Sequence, residues 1–150
     1  MALVHAQSCS GGHFKGQGRG ILKDYHSVPS EHAEQSALFQ WAELNRRKYP
    51  ALKLLYAIPN GGHRHIAVAL KLKAEGVKAG VPDICLPIAR RGLHGLYIEM
   101  KKRSGGVLSQ KQADWMLNLV EQNYSYAVAY GFEDAKRIIE DYLRKAEEAI

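Results

Sequence analysis

The fold of this chain is decided by residues 81–101, which read VPDICLPIARRGLHGLYIEMK. Two short apolar runs flank a connection that contains glycine, and this pattern is typical of a β-hairpin. Side chains alternate along a strand, so Glu99 and Lys101 share one face while the apolar residues between and before them take the other. Asp83 opens the neighbouring strand. The pattern therefore predicts two carboxylates and an ammonium group close together at the rim of a sheet.

This polar group suits the hydrolysis of a phosphodiester. Mg²⁺ prefers oxygen ligands, commonly one or two carboxylates with water and phosphate in the remaining positions. We assign Asp83 and Glu99 as those carboxylates, with the main-chain carbonyl of Met100 as a third oxygen. Lys101 would orient the attacking water and offset the developing charge. Each piece alone has an ordinary interpretation, a strand entry for Pro-Asp and a solvated pair for Glu-x-Lys, and it is their combination on one hairpin that favours catalysis.

Size and composition are consistent with a single domain that contacts a polyanion. The chain has 150 residues and a formal net charge of +6, with a sequence pI near 9.3. A basic balance favours nucleic acid as a partner, although it also aids solubility. Two distant cysteines do not predict a zinc cluster or a disulfide framework. The sequence has neither an apolar run of about 20 residues nor a secretory signal, so we expect a cytoplasmic protein with no membrane contact.

The N-terminal part divides into an arm and a helix. Residues 1–29 are rich in glycine and serine and predict a flexible arm, which either contacts DNA or is idle. Residues 30–150 form the predicted domain. Ser30 is a candidate N-cap for a helix that runs to about residue 48. Glu31 extends the side of this helix that should be buried, where a metal would compensate for burial, although acidic residues are common in first turns. The predicted buried stripe consists of Ala37, Leu38, Trp41 and Leu44.

Two basic loops are candidates for contact with DNA phosphate. A strand predicted at residues 52–58 is followed by a turn that opens a helix reaching about residue 75, with an apolar side at Ile66, Ala69 and Leu70. Backbone N–H groups at a glycine-rich helix start form an anion site, although a simple turn is equally consistent with the pattern. This turn consists of Asn60, Gly61, Gly62, His63 and Arg64. The second loop follows the hairpin and contains Lys102 and Arg103.

The remaining elements complete an α/β order. Ser109 predicts an N-cap and Gln112 completes a capping box, for a helix to about residue 121 with an apolar face of Ala113, Met116, Leu117 and Val120. Residues 124–130 predict a strand, and a last helix runs from Glu133 to about residue 147. This order predicts an α/β fold with a mixed central β-sheet flanked by helices. A crossover through the Ser109 helix would make the last strand parallel to the Glu99 strand.

These motifs resemble those of the VRR-NUC (virus-type replication-repair nuclease) domain, a branch of the PD-(D/E)xK nuclease superfamily. The resemblance spans about residues 30–143. It implies a restriction-endonuclease-like core and a Mg²⁺- or Mn²⁺-dependent, structure-selective DNA endonuclease, with Glu31 as the helix acid, Glu34 as an alternative, and Gln112 near the active site. The matching blocks are Glu31-His32-x-x-Gln35, Ile58-Pro59-Asn60-Gly61-Gly62, Gly76 to Asp83, Gly95 to Lys101 and Leu108-Ser109-x-x-Gln112-x-x-Trp115.

The resemblance also implies a class of substrate. Stand-alone phage and prophage members look like homodimers that cut branched DNA such as Holliday junctions, and this short chain is similar to them. Two phosphodiesters across a junction need two active sites, and one chain supplies one. The version in the Fanconi-associated nuclease is instead a monomer that cuts flaps. A flap- or fork-type nuclease, or a non-catalytic DNA-binding module on a nuclease fold, are therefore the alternatives.

Overall fold

The computed structural model describes residues 28–59 and 66–144. Across these two segments the chain forms four α-helices and four β-strands around one sheet. A 3₁₀ helix, Pro50–Leu54, lies between the first helix and the first strand. The helices are α1 (Glu31–Leu44), α2 (Ile66–Ala74), α3 (Gln110–Glu121) and α4 (Phe132–Leu143), and the strands are β1 (Tyr56–Ala57), β2 (Ile84–Leu86), β3 (Leu96–Lys101) and β4 (Ser125–Tyr130).

The sheet is mixed, and its strands lie in the order β1-β2-β3-β4. β2 and β3 form the predicted antiparallel hairpin, with Ile84 opposite Ile98. β4 runs parallel to β3 in a register that sets Glu99 beside Val128 and Lys101 beside Tyr130. The predicted α/β class and the parallel crossover through α3 are both confirmed.

One face of the sheet carries the hydrophobic core. Ile98 and Met100 are fully buried, and they join Leu38 of α1 and Ile139 of α4 in one cluster. β4 turns small residues such as Ala129 towards this face, so the helices can pack closely on it. Burying an aliphatic side chain of this size contributes about 1.5–3 kcal/mol. The face with period-two apolar residues therefore supplies most of the stability, and the opposite face is left for polar groups.

Glu34 joins three elements at one end of this core. It is 3% exposed, and its carboxylate binds the guanidinium of Arg103 with Nε–Oε1 and Nη2–Oε2 distances of 2.5 and 3.2 Å. The same carboxylate accepts a hydrogen bond of 2.7 Å from the backbone N–H of Phe132, the first residue of α4. The N-cap of α4 is Gly131, which has no side chain to cap with. A carboxylate from α1 therefore takes the place of an N-cap, where the helix dipole favours negative charge.

Several predicted boundaries are wrong, and each has a local cause. Pro50 begins a 3₁₀ helix, because its fixed φ and missing N–H suit a first helical turn. The strand predicted at 52–58 is therefore reduced to two residues, with one further hydrogen bond of 2.7 Å from Ile58 N to the Asp83 carbonyl. The first helix ends at Leu44 rather than near residue 48. That leucine is 83% exposed and does not belong to the buried stripe.

Two helices bury less apolar surface than their patterns predict. No residue of α2 is buried, and Ile66, Val68 and Leu70 are 77%, 48% and 63% exposed. In α3 the buried residue is Leu119, while Leu117 and Val120 of the predicted apolar face are exposed. Helical spacing identifies an apolar side but does not say whether another element covers it. Within the described segments, no helix is long and apolar enough to cross a membrane.

The contacts of Glu34 predict a loss of stability in Glu34→Gln. Hydrogen bonds to charged groups contribute about 1.5–3 kcal/mol, so we expect the free energy of unfolding to fall by about 2 kcal/mol in urea denaturation at pH 7. The Arg103 hydrogen bond holds the pKa of Glu34 below its usual value despite burial. Its contribution is therefore present above about pH 4.5 and is lost as pH falls through the lower folded-state pKa.

The matched control is Glu133→Gln, an exposed acid in the first turn of α4. We expect this change to stay within about 0.5 kcal/mol of the wild type. Equal effects of the two substitutions would contradict the capping role of Glu34.

Candidate active site

The hairpin brings Asp83, Glu99 and Lys101 together, as the sequence predicts. Asp83 Oδ2 accepts a hydrogen bond of 2.8 Å from the backbone N–H of Met100, which fixes the aspartate against β3. Lys101 Nζ lies 2.8 Å from Glu99 Oε1. Met100 itself points into the core, so its backbone belongs to the site while its side chain does not.

Gln112 of α3 joins this group. Its Nε2 donates to Glu99 Oε1, and its Oε1 accepts from Lys101 Nζ at 3.1 Å. The same Oε1 accepts from the backbone N–H of Ser109 at 2.9 Å, while the Ser109 hydroxyl accepts from the Gln112 backbone N–H at 3.4 Å. The capping box is therefore present, and its glutamine contacts the acidic pair as well. The two roles predicted for Gln112 are compatible, because one side chain fills both.

A glycine sets the distance between the Asp83 segment and α3. Gly80 has a φ of +88°, and a Cβ built on it would lie 2.7 Å from the backbone oxygen of Lys111. Side chains other than glycine are strained at this φ, and backbone atoms cannot move aside easily. The close approach places the segment that leads to Asp83 directly against the first turn of α3, which carries Gln112.

Burial governs the electrostatics of the site. Glu99 and Lys101 are 2% and 8% exposed. Burial raises the pKa of Glu99 to about 7; the Lys101 hydrogen bond opposes this rise, and the neighbouring Asp83 charge adds to it. Burial also raises the pKa of Asp83, against the hydrogen bond from Met100 N–H. The two carboxylates lie close enough to disfavour each other's charge, so the pair holds a proton more readily than a free carboxylate does.

The donor set fits a small divalent cation. Glu99 Oε2 is buried and has no hydrogen-bond partner. A buried oxygen without a partner is costly, and a cation between two carboxylates would satisfy it and displace the shared proton. Within the described residues, no group of three or more His, Cys, Asp or Glu side chains could hold a metal ion. Two carboxylates are nevertheless sufficient for Mg²⁺, which usually keeps several waters.

The other candidate residues lie outside this group or cannot be placed. Glu31 is the first residue of α1 and does not form a three-acid cluster with Asp83 and Glu99. Glu34, the alternative helix acid, is occupied by Arg103 and the start of α4. Arg103 is therefore an ion-pair partner, whereas its neighbour Lys102 is exposed. The candidate turn of Asn60, Gly61, Gly62, His63 and Arg64 lies outside the described residues.

Sequence reasoning missed Tyr126 as a site residue. Its hydroxyl is buried without a hydrogen-bond partner, and the charges of Glu99 and Asp83 act on it. The signal was available in the alternation of residues 124–130, which places Tyr126 on the same face as the tyrosine at 124. Strand register was needed to show that this face is the one that carries Glu99.

The raised pKa of Glu99 predicts how the cation-free protein responds to pH. A carboxyl group whose folded-state pKa lies above the unfolded value stabilises the fold below about pH 4.5, and that contribution is lost as pH rises through about 7. We therefore expect thermal denaturation in chelator to show a lower melting temperature at pH 8 than at pH 5. Glu99→Gln should flatten this slope, whereas the exposed control Glu43→Gln should not. A slope in Glu99→Gln as steep as that of the wild type would contradict the assignment, because Asp83, whose pKa burial also raises, accounts for only part of it.

Comparisons with known proteins agree with this geometry. The family model "VRR-NUC domain" matches residues 20–133. A solved structure described as "VRR_NUC domain protein" is 30% identical in sequence, with a TM-score of 0.66, over 78% of this chain and 92% of that one. The comparison with curated proteins gave no match. The motifs, the mixed sheet and these two matches converge, and the chain belongs to the VRR-NUC family of nuclease-type domains.

Proposed function

We propose that this protein is a Mg²⁺- or Mn²⁺-dependent endonuclease that hydrolyses phosphodiester bonds in branched DNA, with four-way junctions as the preferred structure. The observation that carries the proposal is the buried pair of Asp83 and Glu99, with Glu99 Oε2 unsatisfied and Lys101 Nζ 2.8 Å from Glu99 Oε1. Family membership supports nuclease chemistry, and the divalent cation is the ligand that best suits this oxygen set.

The roles of the side chains follow from their contacts. Asp83 and Glu99 would hold the cation, with the Met100 carbonyl as a third oxygen. When bound, the cation polarises the phosphate and lowers the pKa of a water molecule. Lys101, held by Glu99 and Gln112, presents a compact ammonium donor that orients the attacking water and balances charge on the phosphate. Gln112 keeps Glu99 and Lys101 in fixed relative positions.

Charge outside the site supports a DNA substrate. The net charge is +6, and the exposed Lys102 directly follows the active-site lysine. Contacts of such side chains to phosphate fix the position of a duplex but read no sequence. Selectivity for a branched structure would then come from the spacing of two active sites rather than from base contacts.

The first test is cleavage of a labelled four-way junction and a matched linear duplex, with Mg²⁺ or with chelator. We expect cutting of the junction with Mg²⁺ and no cutting in chelator. Lys101→Ala should lower kcat by about 10²–10³-fold, the size of effect seen when one charge-stabilising donor is lost. The exposed Lys53→Ala is the control and should retain activity.

Three results separate the alternatives. Cutting in chelator, or full activity of Lys101→Ala, would contradict the proposed mechanism. Tight binding of junction DNA by the wild type without any cleavage would favour the non-catalytic DNA-binding module. Cuts confined to one strand near a flap or fork would favour the flap-type nuclease.

We also propose that the active form is a homodimer, joined in part through α2. This helix exposes Ile66 and Leu70, which lie one turn apart on the same side, and grouped exposed apolar side chains mark a surface that another protein can cover. A second copy is the occupant that the proposed reaction favours, because two phosphodiesters across a junction need two active sites.

The dimer proposal predicts that Leu70→Glu shifts the protein towards monomer in light scattering coupled to gel filtration. We expect the variant to keep its circular dichroism spectrum, since Leu70 is 63% exposed, and to lose the symmetric pairing of nicks on a junction. Leu117→Glu is the control, because that leucine is 58% exposed on a different helix. A wild type that is monomeric at tens of micromolar would contradict the proposal.

A further inference from the structure

Two buried side-chain polar atoms in residues 28–59 and 66–144 have no hydrogen-bond partner, and they are Glu99 Oε2 and Tyr126 Oη. Leaving a buried donor or acceptor unsatisfied costs about 1–3 kcal/mol. Native structures seldom keep such groups without a partner, so each one calls for an explanation. The occurrence of one acceptor and one donor suggests a single explanation for both.

Register places the two residues on the same face of the sheet. β3 and β4 are parallel, with Tyr97 beside Tyr126 and Glu99 beside Val128. In-register neighbours project to the same side, so Tyr126 shares the face of Glu99 and lies one diagonal step away from it. A tyrosine side chain is long enough to span such a diagonal. Burial, followed by the charges of Glu99 and Asp83, raises the pKa of Tyr126, in keeping with a hydroxyl that lies near the acidic pair.

We propose that Tyr126 is a positioning residue of the cation site, whose hydroxyl donates a hydrogen bond through one buried water molecule to Glu99 Oε2. This inference rests on the proposed function and deepens it. No direct hydrogen bond joins the two oxygens, because both lack partners. A water between them would satisfy the hydroxyl and occupy one lone pair of Oε2, which leaves the second lone pair for a cation. Buried waters are held by two to four such polar groups.

The chemistry of a tyrosine suits this role. A phenol is a neutral donor, so it restrains a carboxylate without adding a positive charge that would compete with a cation. Lys101 and Gln112 already bind the other oxygen, Glu99 Oε1. A contact at Oε2 would therefore fix the rotation of the carboxylate about its last bond. Groups that orient a metal ligand in this way typically change metal affinity or activity by about 10–100-fold.

Tyr126→Phe tests the inference, because it removes the hydroxyl and keeps the ring. The full chain is titrated with Mn²⁺ by calorimetry in the absence of DNA, and we expect the dissociation constant to rise by about 10-fold. Thermal denaturation in chelator should give a melting temperature slightly below that of the wild type, since the water-mediated hydrogen bond to Glu99 Oε2 has been removed. With DNA, kcat should fall while KM stays unchanged.

The matched control is Tyr124→Phe. Tyr124 lies two residues earlier on the same face, and its ring packs edge-on against Tyr97 with a centroid distance of 5.4 Å. We expect its variant to bind Mn²⁺ as the wild type does. If either phenylalanine variant is less stable in chelator, the rise of its own melting temperature on adding Mn²⁺ still reports its cation affinity.

The outcomes distinguish this inference from the function on which it rests. Wild-type Mn²⁺ affinity in Tyr126→Phe would overturn the positioning role and leave the nuclease proposal intact. No Mn²⁺ binding by the wild type would overturn both. Weaker binding in Tyr126→Phe, unchanged binding in Tyr124→Phe and loss of binding in Asp83→Ala would together support both.

Discussion

The burial of the Glu99 carboxyl group in the middle of a sheet is the constraint on which the rest of the site depends. A carboxylate that is 2% exposed loses its hydration. The free-energy cost of burying its charge is large unless other polar groups replace the water. Lys101 Nζ and Gln112 Nε2 replace it at one oxygen, and neither reaches the other oxygen. Burial raises the pKa of Glu99 to about 7, because this compensation is incomplete.

The two faces of β3 divide stability from chemistry. Ile98 and Met100 join α1 and α4 in the core, so the strand is held in place by apolar burial together with its pairing to β2 and β4. Burying Glu99 and Lys101 costs free energy, and burial of the apolar side chains on the other face offsets this cost. A strand makes this separation simple, because alternate side chains point in opposite directions. The same separation explains why substitutions on the polar face should alter the site more than the core.

The hairpin was predictable because its information is local. Alternation around Glu99, the opening Asp83 and the glycine connection all lie within residues 81–101, and the structure confirms the hairpin pairing and the contacts among the three polar residues. The position of Gln112 could also be predicted from the sequence, because a capping box is a pattern of four residues. Family resemblance added the expected fold, which the structure and the matches confirm.

The predictions that were wrong concerned which helical side chains are covered by other elements of the fold. Spacing gave α2 an apolar side, but no local pattern shows whether another element of the chain covers it. Leu44 fits a helical stripe, yet it stands at the last turn of α1, beyond the reach of the sheet. The burial of Glu34 follows from a bare glycine N-cap almost 100 residues later, and only the folded chain brings the two together.

The Glu34 contact also changes how the basic loop after β3 should be interpreted. A count of positive charges treats Lys102 and Arg103 as equivalent candidates for DNA phosphate. The structure separates them, because Arg103 forms a two-point ion pair with a carboxylate that is 3% exposed. Moving Arg103 to a phosphate would leave that carboxylate without its cation, at a cost that a surface contact does not offset. The exposed Lys102 has no such role in the fold. In this loop Arg103 therefore stabilises the structure, whereas Lys102 is suited to contact phosphate.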